Sequence, residues 1–325
     1  MVPMLHLFKG PAMCYNIKKM ELLVEQILQH FWPYDLLGGH SQEYIESLFS
    51  HIYILQLLFC LLGFFYTVTI LPSPILMSSE KSLPFPVKFD FDHTVSPVYE
   101  IIYFLQCFFL VFTVAFTGIG IDLYVLAICA CAGSQFRLIG HCFSTLGTPA
   151  VHTVNRKLEN IFADEYCGEQ NENRKIFIRC VKHQERLFRF VKDVNEALNF
   201  IELGQLILSV IGLCLDAFIL SSNPTTLQFF MASLLALGFG FQLLLDCIIG
   251  TEMFYQANLI PEYLFKSDWW NLDIQLKKDV AFVLQHSQRV QQLSAYKLYD
   301  MNMTSWIKVL KLAFSLFTVL NTVLK

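Results

Sequence analysis

Charge is what this sequence has least of. Asp, Glu, Lys and Arg make up 15% of its 325 residues, against about 25% in a soluble globular domain. Because 55% of the chain is hydrophobic, a single water-soluble core cannot absorb its apolar side chains, and a second apolar solvent is implied. A basic surplus is also absent. The formal charge is −4, which leaves no footprint for nucleic acid. No Cys-X-X-Cys pair occurs, and Cys60, Cys107, Cys129, Cys131, Cys214 and Cys247 lie in apolar runs. Neither a zinc site nor a disulfide framework is expected from them; they read as small buried apolar residues. Met1–Met13 has no basic start, apolar run and small-residue cleavage site, so insertion directed by an internal helix is expected. No nucleophile, base and orienting group can be picked out together, so no catalytic site, cofactor or metal is expected.

Three short motifs fail on context. Gly118-Ile119-Gly120 lacks the strand and further Gly of a dinucleotide loop. His183 and Cys180 are helical neighbours in a charged segment with no further ligands. Asn302-Met303-Thr304 is a glycosylation sequon, but the loop charges place it in the cytoplasm.

What is abundant is long charge-free sequence, with 31 Phe in the chain. Five spans are expected: His51–Leu71, Ile101–Ile121, Leu203–Leu220 with Asp216 as its one charge, Leu227–Leu245, and Leu312–Leu324 extended inward by Ser305–Lys311. Each approaches the roughly 20 residues that cross about 30 Å of hydrocarbon, and helices are the form that leaves no backbone group unpaired there. Lys and Arg number three in Met1–Ser50, two in Pro72–Pro97, nine in Leu146–Asn195, none in Ser221–Thr226 and five in Gly250–Thr304. The richer segments face the cytoplasm. The N-terminus is then inside and the C-terminus outside.

Three helices exceed the bilayer. Val98–Cys142 contains no Pro and as one helix would run about 65 Å. Leu187, Phe190, Val191, Val194 and Leu198 share one helical face before the third span. The fourth helix continues past Asp246 towards Pro261. The fold class expected is all-α: a polytopic helical membrane protein whose long helices pack into a cytoplasmic anchor domain. Its expected segments are a cytoplasmic N-terminal segment (1–50), four transmembrane helices with their loops and cytoplasmic extensions (51–245), a cytoplasmic helical region (246–304) and a final pore-lining helix (305–325). Asp164–Asn173, polar and mostly acidic, is expected to be disordered.

Several patterns then fall in order along the chain. Leu83-Pro84-Phe85-Pro86 is followed by Phe89-Asp90, Ser96-Pro97, Tyr99-Glu100, Tyr103 and Gln106. Asp122, Gln135-Phe136 and Cys180-Val181-Lys182-His183-Gln184 come next. Gly250-Thr251-Glu252, Tyr263, Ser267-Asp268-Trp269-Trp270 and Phe314-Ser315-Leu316-Phe317-Thr318-Val319-Leu320 complete the series. This succession resembles the insect odorant receptor family over roughly residues 20 to 325. Each pattern is weak alone; their order and spacing are specific. The resemblance implies seven spans with the N-terminus inside and the C-terminus outside. It also implies an odorant-gated, nonselective cation channel in the plasma membrane, assembled as a heterotetramer with a shared odorant receptor co-receptor. The five spans correspond to the family's third to seventh, the match beginning near Glu21–Trp32. The expectation is that the first two spans are missing through a late start in the gene model or, alternatively, a degraded gene copy.

By position, Val319 and Val323, one turn apart on the last helix, correspond to the family's apolar gate. Rings of apolar side chains block ions by dewetting. Asn321 and Thr322 offer oxygen ligands to passing ions. The plainer alternative makes Val319 and Val323 lipid or packing residues. Lys308 and Lys311, at the inner end, either snorkel to the interface or line the inner vestibule. A pocket for a small volatile ligand is expected in the outer half of the membrane. Its candidates are Leu62, Phe65, Tyr66 and Thr69; Gln106, Phe109, Leu110 and Thr113; and Phe229, Phe230 and Ser233. These faces combine apolar walls with a few polar groups, as such pockets require, although aromatic stripes also serve plain packing. Glu202 and Asp246 are expected at the cytoplasmic ends of their spans, where charge is cheap; Asp216 is a candidate for the outer vestibule. The competing readings are a gustatory receptor of the same architecture and a small-solute transporter. Ser315–Leu320 favours the odorant branch, and neither an internal repeat nor a pair of interrupted spans supports transport. A G-protein-coupled receptor would need the opposite orientation.

Overall fold

The computed structural model describes residues 2–37, 39–72, 83–84, 94–113, 119–162, 171–286, 292–296 and 298–323. Nearly all of them are helical: α1 (Val2–His30), α2 (Gly39–Ile70), α3 (Val98–Phe112), α4 (Gly120–Ser144), α5 (Ala150–Ile161), α6 (Glu172–Ser221), α7 (Thr226–Lys266), α8 (Ile274–His286) and α9 (Met303–Val323). Short 3-10 turns at Tyr34–Leu37 and Trp269–Asn271 and a two-stranded antiparallel hairpin, β1 (Ser294–Ala295) with β2 (Tyr299–Asp300), complete them. The 50 residues of α6 rise about 75 Å, more than twice the hydrocarbon thickness. Local chemistry sets its ends. The Asn171 side chain accepts from the backbone N–H groups of Asn173 and Arg174, satisfying two of the first-turn donors. Asn223, at φ 53°, and Pro224 turn the chain into α7. There Thr225 and Gln228 form a reciprocal capping box.

The molecule has a packed end and a splayed end. At the packed end α4 lies against α7, and α1, α5, α6 and α8 surround them. Leu187, Phe190, Val191, Val194 and Leu198 are all buried there, as their common face requires. Each fully buried side chain of this size contributes about 1.5–3 kcal/mol. A polar clasp ties the chain after α1 to α4 and α6. Gln135 Oε1 accepts from the Trp32 backbone N–H at 2.8 Å, and Gln135 Nε2 donates to the Trp32 carbonyl at 2.9 Å. His183 Nε2 lies 2.9 Å from the same Oε1, so the ring is the Nε2–H tautomer, and it stacks on Trp32 with centroids 4.3 Å apart. His183 thus has a packing role next to buried Cys180.

At the splayed end the apolar side chains point outward. Leu57, Leu61, Phe64, Phe65 and Val68 of α2 are exposed, as are Phe104, Phe108 and Phe112 of α3 and Ile207, Ile211 and Ile219 of α6. Contiguous exposed apolar surface of this extent is unfavourable in water and neutral in lipid. Five described helices are long and apolar enough to cross a bilayer. The chain is a multi-pass helical membrane protein.

The structure differs from several expectations. α4 is one of those five helices, yet 72% of its most apolar stretch is buried, against 6% for α2. Its hydropathy is absorbed by protein, whereas α3, a shorter apolar helix, has Leu110 as its buried residue. The expectation of a single helix over Val98–Cys142 falls in part on 114–118, which lie outside the described residues. Of the stretch expected to be disordered, residues 164–170 lie outside the description, whereas Asn171, Glu172 and Asn173 build the start of α6. Glu202 and Asp246 are not at solvated helix ends: they are 8% and 3% exposed. Asp216 faces inward, 5% exposed. α1, 29 residues long with Pro11 inside, fills a stretch expected only as part of the N-terminal segment, its first residues at most the end of a missing span.

Candidate functional site

The site is built where α2, α3, α6 and α7 converge at the splayed end. Tyr66 and Ile70, one turn apart on α2, Leu110 on α3 and Phe239 on α7 form a buried apolar cluster. Leu208 and Leu213 of α6 and Met231 and Leu235 of α7 pack around it. Met231, Leu235 and Phe239 follow at four-residue intervals, one stripe of a helix. Gly212 makes the close approach of α6 possible: a Cβ there would stand 2.7 Å from the Phe239 ring.

One turn beyond Gly212 comes Asp216, whose buried Oδ2 has no hydrogen-bond partner. Tyr66 lies within its electrostatic reach. The Tyr66 hydroxyl forms no hydrogen bond among the described residues. Unpaired buried polar groups are rare, and each requires a reason. Here the orphaned atom is Asp216 Oδ2, beside a wall of Leu, Ile and Phe.

The structure brings Tyr66 and Leu110, of the expected pocket residues, into this cluster. Thr113 is buried beside them in sequence, its hydroxyl donating to the Leu110 carbonyl at 3.1 Å. Leu62, Thr69, Gln106 and Ser233 are half-buried, with Thr69 Oγ1 donating to the Phe65 carbonyl. Phe65, Phe109, Phe229 and Phe230 are 40–54% exposed and stand outside the cluster. Phe239, Ile70 and Asp216 were not among the expected lining residues. The four-residue stripe running from Met231 is the signal that reaches Phe239.

Along α9 the two faces differ. Val309 and Ala313 pack against Val210 of α6 and Leu243 of α7, and Trp306 Nε1 donates to the Gly240 carbonyl at 3.1 Å. Val319 and Val323 are 58% and 75% exposed. Thr322 is exposed and Asn321 half-buried, the Thr322 hydroxyl donating to the Thr318 carbonyl. Lys308 and Lys311 are exposed at the other end. The C-terminal half of α9 therefore presents a free face of small apolar side chains and hydroxyls. Among the described residues no group of three His, Cys, Asp or Glu is arranged to hold a metal ion.

A sequence profile described as "7tm Odorant receptor" matches residues 2–314. Odorant receptor 83a of Drosophila melanogaster is 22% identical over 281 residues, covering 74% of this chain and 61% of its own length. Odorant receptor 30a of the same fly is 23% identical over 263 residues, covering 76% and 61%. Odorant receptor 88a is 26% identical over 145 residues, covering 44% and 35%. The chain thus spans at most about three fifths of the curated relatives it matches. Among solved structures, the olfactory receptor OR5 of Machilis hrabei in complex with eugenol superposes with a TM-score of 0.79 at 13% identity. The match covers 98% of this chain and 78% of that one. At that identity the likeness establishes the fold.

Proposed function

Because the chain belongs to the 7tm odorant receptor family, we propose that it is an odorant-binding subunit of a ligand-gated, nonselective cation channel. A family of receptors leaves no place for an enzyme. The subunit resides in the plasma membrane, N-terminus inside, and assembles with a co-receptor subunit into a heterotetramer. The packed end is the cytoplasmic anchor, and α9 supplies the pore wall with Val319 and Val323 as its gate. The exposed outer face of α9 supports this, since a pore-lining side chain has no partner within its own subunit.

One observation carries the binding reading: the buried Asp216 Oδ2, which has no hydrogen-bond partner, lies within electrostatic reach of Tyr66 of the apolar interhelical cluster. The ligand class that fits is a small volatile with an apolar body and one hydrogen-bond donor, an alcohol or an amine. The Machilis receptor's complex with eugenol is a precedent for small-molecule binding on this fold.

The test is current recorded from cells that co-express the subunit and its co-receptor, under a panel of volatile alcohols and amines. A charge-assisted hydrogen bond contributes about 1.5–3 kcal/mol. Replacing Asp216 by Ala should therefore raise the half-maximal concentration of the best agonist by about ten- to a hundred-fold, with surface expression unchanged. An Asp216→Ala channel with an unshifted response would remove Asp216 from the site. Surface-expressed wild type that is silent to the whole panel would defeat the receptor reading for this ligand class.

A further inference from the structure

At the packed end a cavity of about 320 Å³ opens between α2, α4 and α7. Tyr44, Arg137, Tyr255, Gln256, Tyr263 and Lys266 line it. Lys266 is occupied, donating to Glu262 Oε1 at 2.5 Å. Arg137 is not. Its guanidinium carbon stands 3.6 Å from the centre of the Tyr44 ring. Among the described residues no carboxylate lies within ion-pair distance of it. Its buried Nε has no acceptor. A guanidinium held by a ring face keeps its N–H groups for a further partner.

A second orphan lines the same cavity. Gln256 is 1% exposed. Its Nε2 donates to Glu252 Oε1 at 2.7 Å and to the Tyr44 hydroxyl at 3.1 Å. Those bonds fix the amide, because the reverse orientation would set its oxygen against a carboxylate. Gln256 Oε1 is left without a donor. The cavity therefore lacks an acceptor for Arg137 Nε and a donor for Gln256 Oε1. Buried polar groups left in this way require a reason. Water meets both needs but brings no charge to the guanidinium. Sulfate and simple carboxylates bring charge but carry no O–H at neutral pH. A phosphate that bears a hydroxyl supplies all three. We propose that this cavity binds a dissolved, hydroxyl-bearing phosphate group, its oxygen accepting from Arg137 Nε and its O–H donating to Gln256 Oε1; inorganic phosphate is the smallest such ligand. Tyr255 and Lys266 lie ten and 21 residues past Leu245, the expected end of the fourth span, about 15 and 30 Å along the helix. The headgroup layer reaches only about 5–8 Å beyond the hydrocarbon, so the ligand is a solute and not a lipid phosphate. That placement rests on the proposed topology, which the binding measurement does not use.

The test is thermal unfolding of the full chain in phosphatidylcholine nanodiscs, followed by tryptophan fluorescence at neutral pH. Sodium phosphate and sodium sulfate are compared at equal ionic strength. Both anions strengthen burial in general, so site binding is the saturating excess of the phosphate midpoint over the sulfate one. Wild type should show that excess, and Arg137→Gln should abolish it. Arg137→Lys keeps the charge and loses the fixed Nε–H, so its half-saturating phosphate concentration should rise about ten-fold. Gln256→Met removes the acceptor and keeps the length, so the two anions should act alike on it. A wild-type midpoint that moves equally in phosphate and sulfate would overturn the proposal and leave water as the partner of both orphans, even if no variant folded. So would an undiminished phosphate excess in folded Arg137→Gln.

Discussion

Replacing Lys9 by Met removes the only ammonium from a cluster of three buried carboxyls, those of Asp122, Glu202 and Asp246, and leaves a side chain of similar length. The wild-type Lys9–Asp122 pair is 2.6 Å apart, with side-chain exposures of 0% and 5%. At an exposed site such a pair contributes about 0–1 kcal/mol. Here one partner's removal leaves a charge in the interior, which costs about 3–5 kcal/mol. That is two or more decades in the folding equilibrium. Asp122→Asn in the same background restores charge balance while keeping an acceptor for Gln242, so the double variant should recover most of the loss. Denaturant-induced unfolding in micelles measures all four corners of this cycle. The expected signature is a large cost for Lys9→Met alone and a coupling energy of about 2–4 kcal/mol between the two changes. A cost below about 1 kcal/mol for Lys9→Met would mean that α1 does not bury Lys9 against α4, and the reasoning would fail there.

Three further outcomes follow from the geometry. Val319→Ser and Val323→Ser add hydroxyls to the free face of α9; resting current normalised to surface expression should rise, and unchanged current in both would remove this face from the gate. Leu213 packs both against the Tyr66–Phe239 cluster and against the contact of α9 with Val210 and Leu243. Leu213→Ala should therefore weaken the odorant-evoked current while ligand protection against thermal unfolding persists, and equal loss of both would make Leu213 a plain binding residue. Burial, with the nearby Arg186 and His30 charges adding, pulls the His183 imidazole down to about 3. The unfolded chain titrates near 6.5, so the stability from neutral His183 is complete above that value and is lost as pH falls towards 3. The unfolding midpoint should drop between about pH 7 and pH 5, with a smaller drop in His183→Asn; equal slopes would exclude His183 as the source.

The parts of this architecture that depend on local periodicity were legible, and the parts that depend on distant partners were not. The stripe from Leu187 to Leu198 is a one-helix property, and it is buried as its spacing requires. Hydropathy cannot tell lipid from protein as the apolar partner. That is why α4, apolar enough to cross a bilayer, is nonetheless mostly buried in protein. Lys9, Lys18, Lys19, Glu21 and Glu25 give α1 the look of a solvated segment, because the partner of Lys9 lies 113 residues away. Glu202 and Asp246 were misplaced for the same reason: distance along a helix says nothing about which face meets the next one. Of the expected pocket residues, Tyr66 and Leu110 stand in the buried cluster; that Phe239 is buried while Phe229 and Phe230 are exposed is fixed by the packing of α6 on α7. Several patterns that carry the family resemblance are structural joints. Gln135 clasps Trp32. Gly140 lies where a Cβ would strike Tyr263. Glu252 accepts from Tyr44 at 2.5 Å and Gln256 at 2.7 Å.

The last helix is held at one end only. At its start a Cβ on Gly250 would lie 2.4 Å from the Met301 carbonyl, so the absence of a side chain there lets the incoming chain touch α7. Thr251 Oγ1 accepts from the Met303 backbone N–H at 3.2 Å, and Asn302 Oδ1 caps the first turn by accepting from Ser305. This cap gives the residue of the apparent sequon a folding role. Cys247 Sγ meets the Tyr299 hydroxyl at 3.1 Å, and Trp306 reaches Gly240. Beyond Ala313 no described residue of α9 is buried. A rotation of the outer half of α9 therefore breaks few packing contacts within the subunit, while the inner half is fixed to α7 by hydrogen bonds that would each cost about 0.5–1.5 kcal/mol to lose. Leu213 lies between this helix and the Tyr66–Phe239 cluster. Leu213 packs on the cluster that holds Val309 and Ala313, so a molecule that displaces the Tyr66–Phe239 cluster would act on α9 through its held part. Contiguity of this kind is a requirement for coupling and not its proof, so the proof rests on whether binding and current separate in Leu213→Ala.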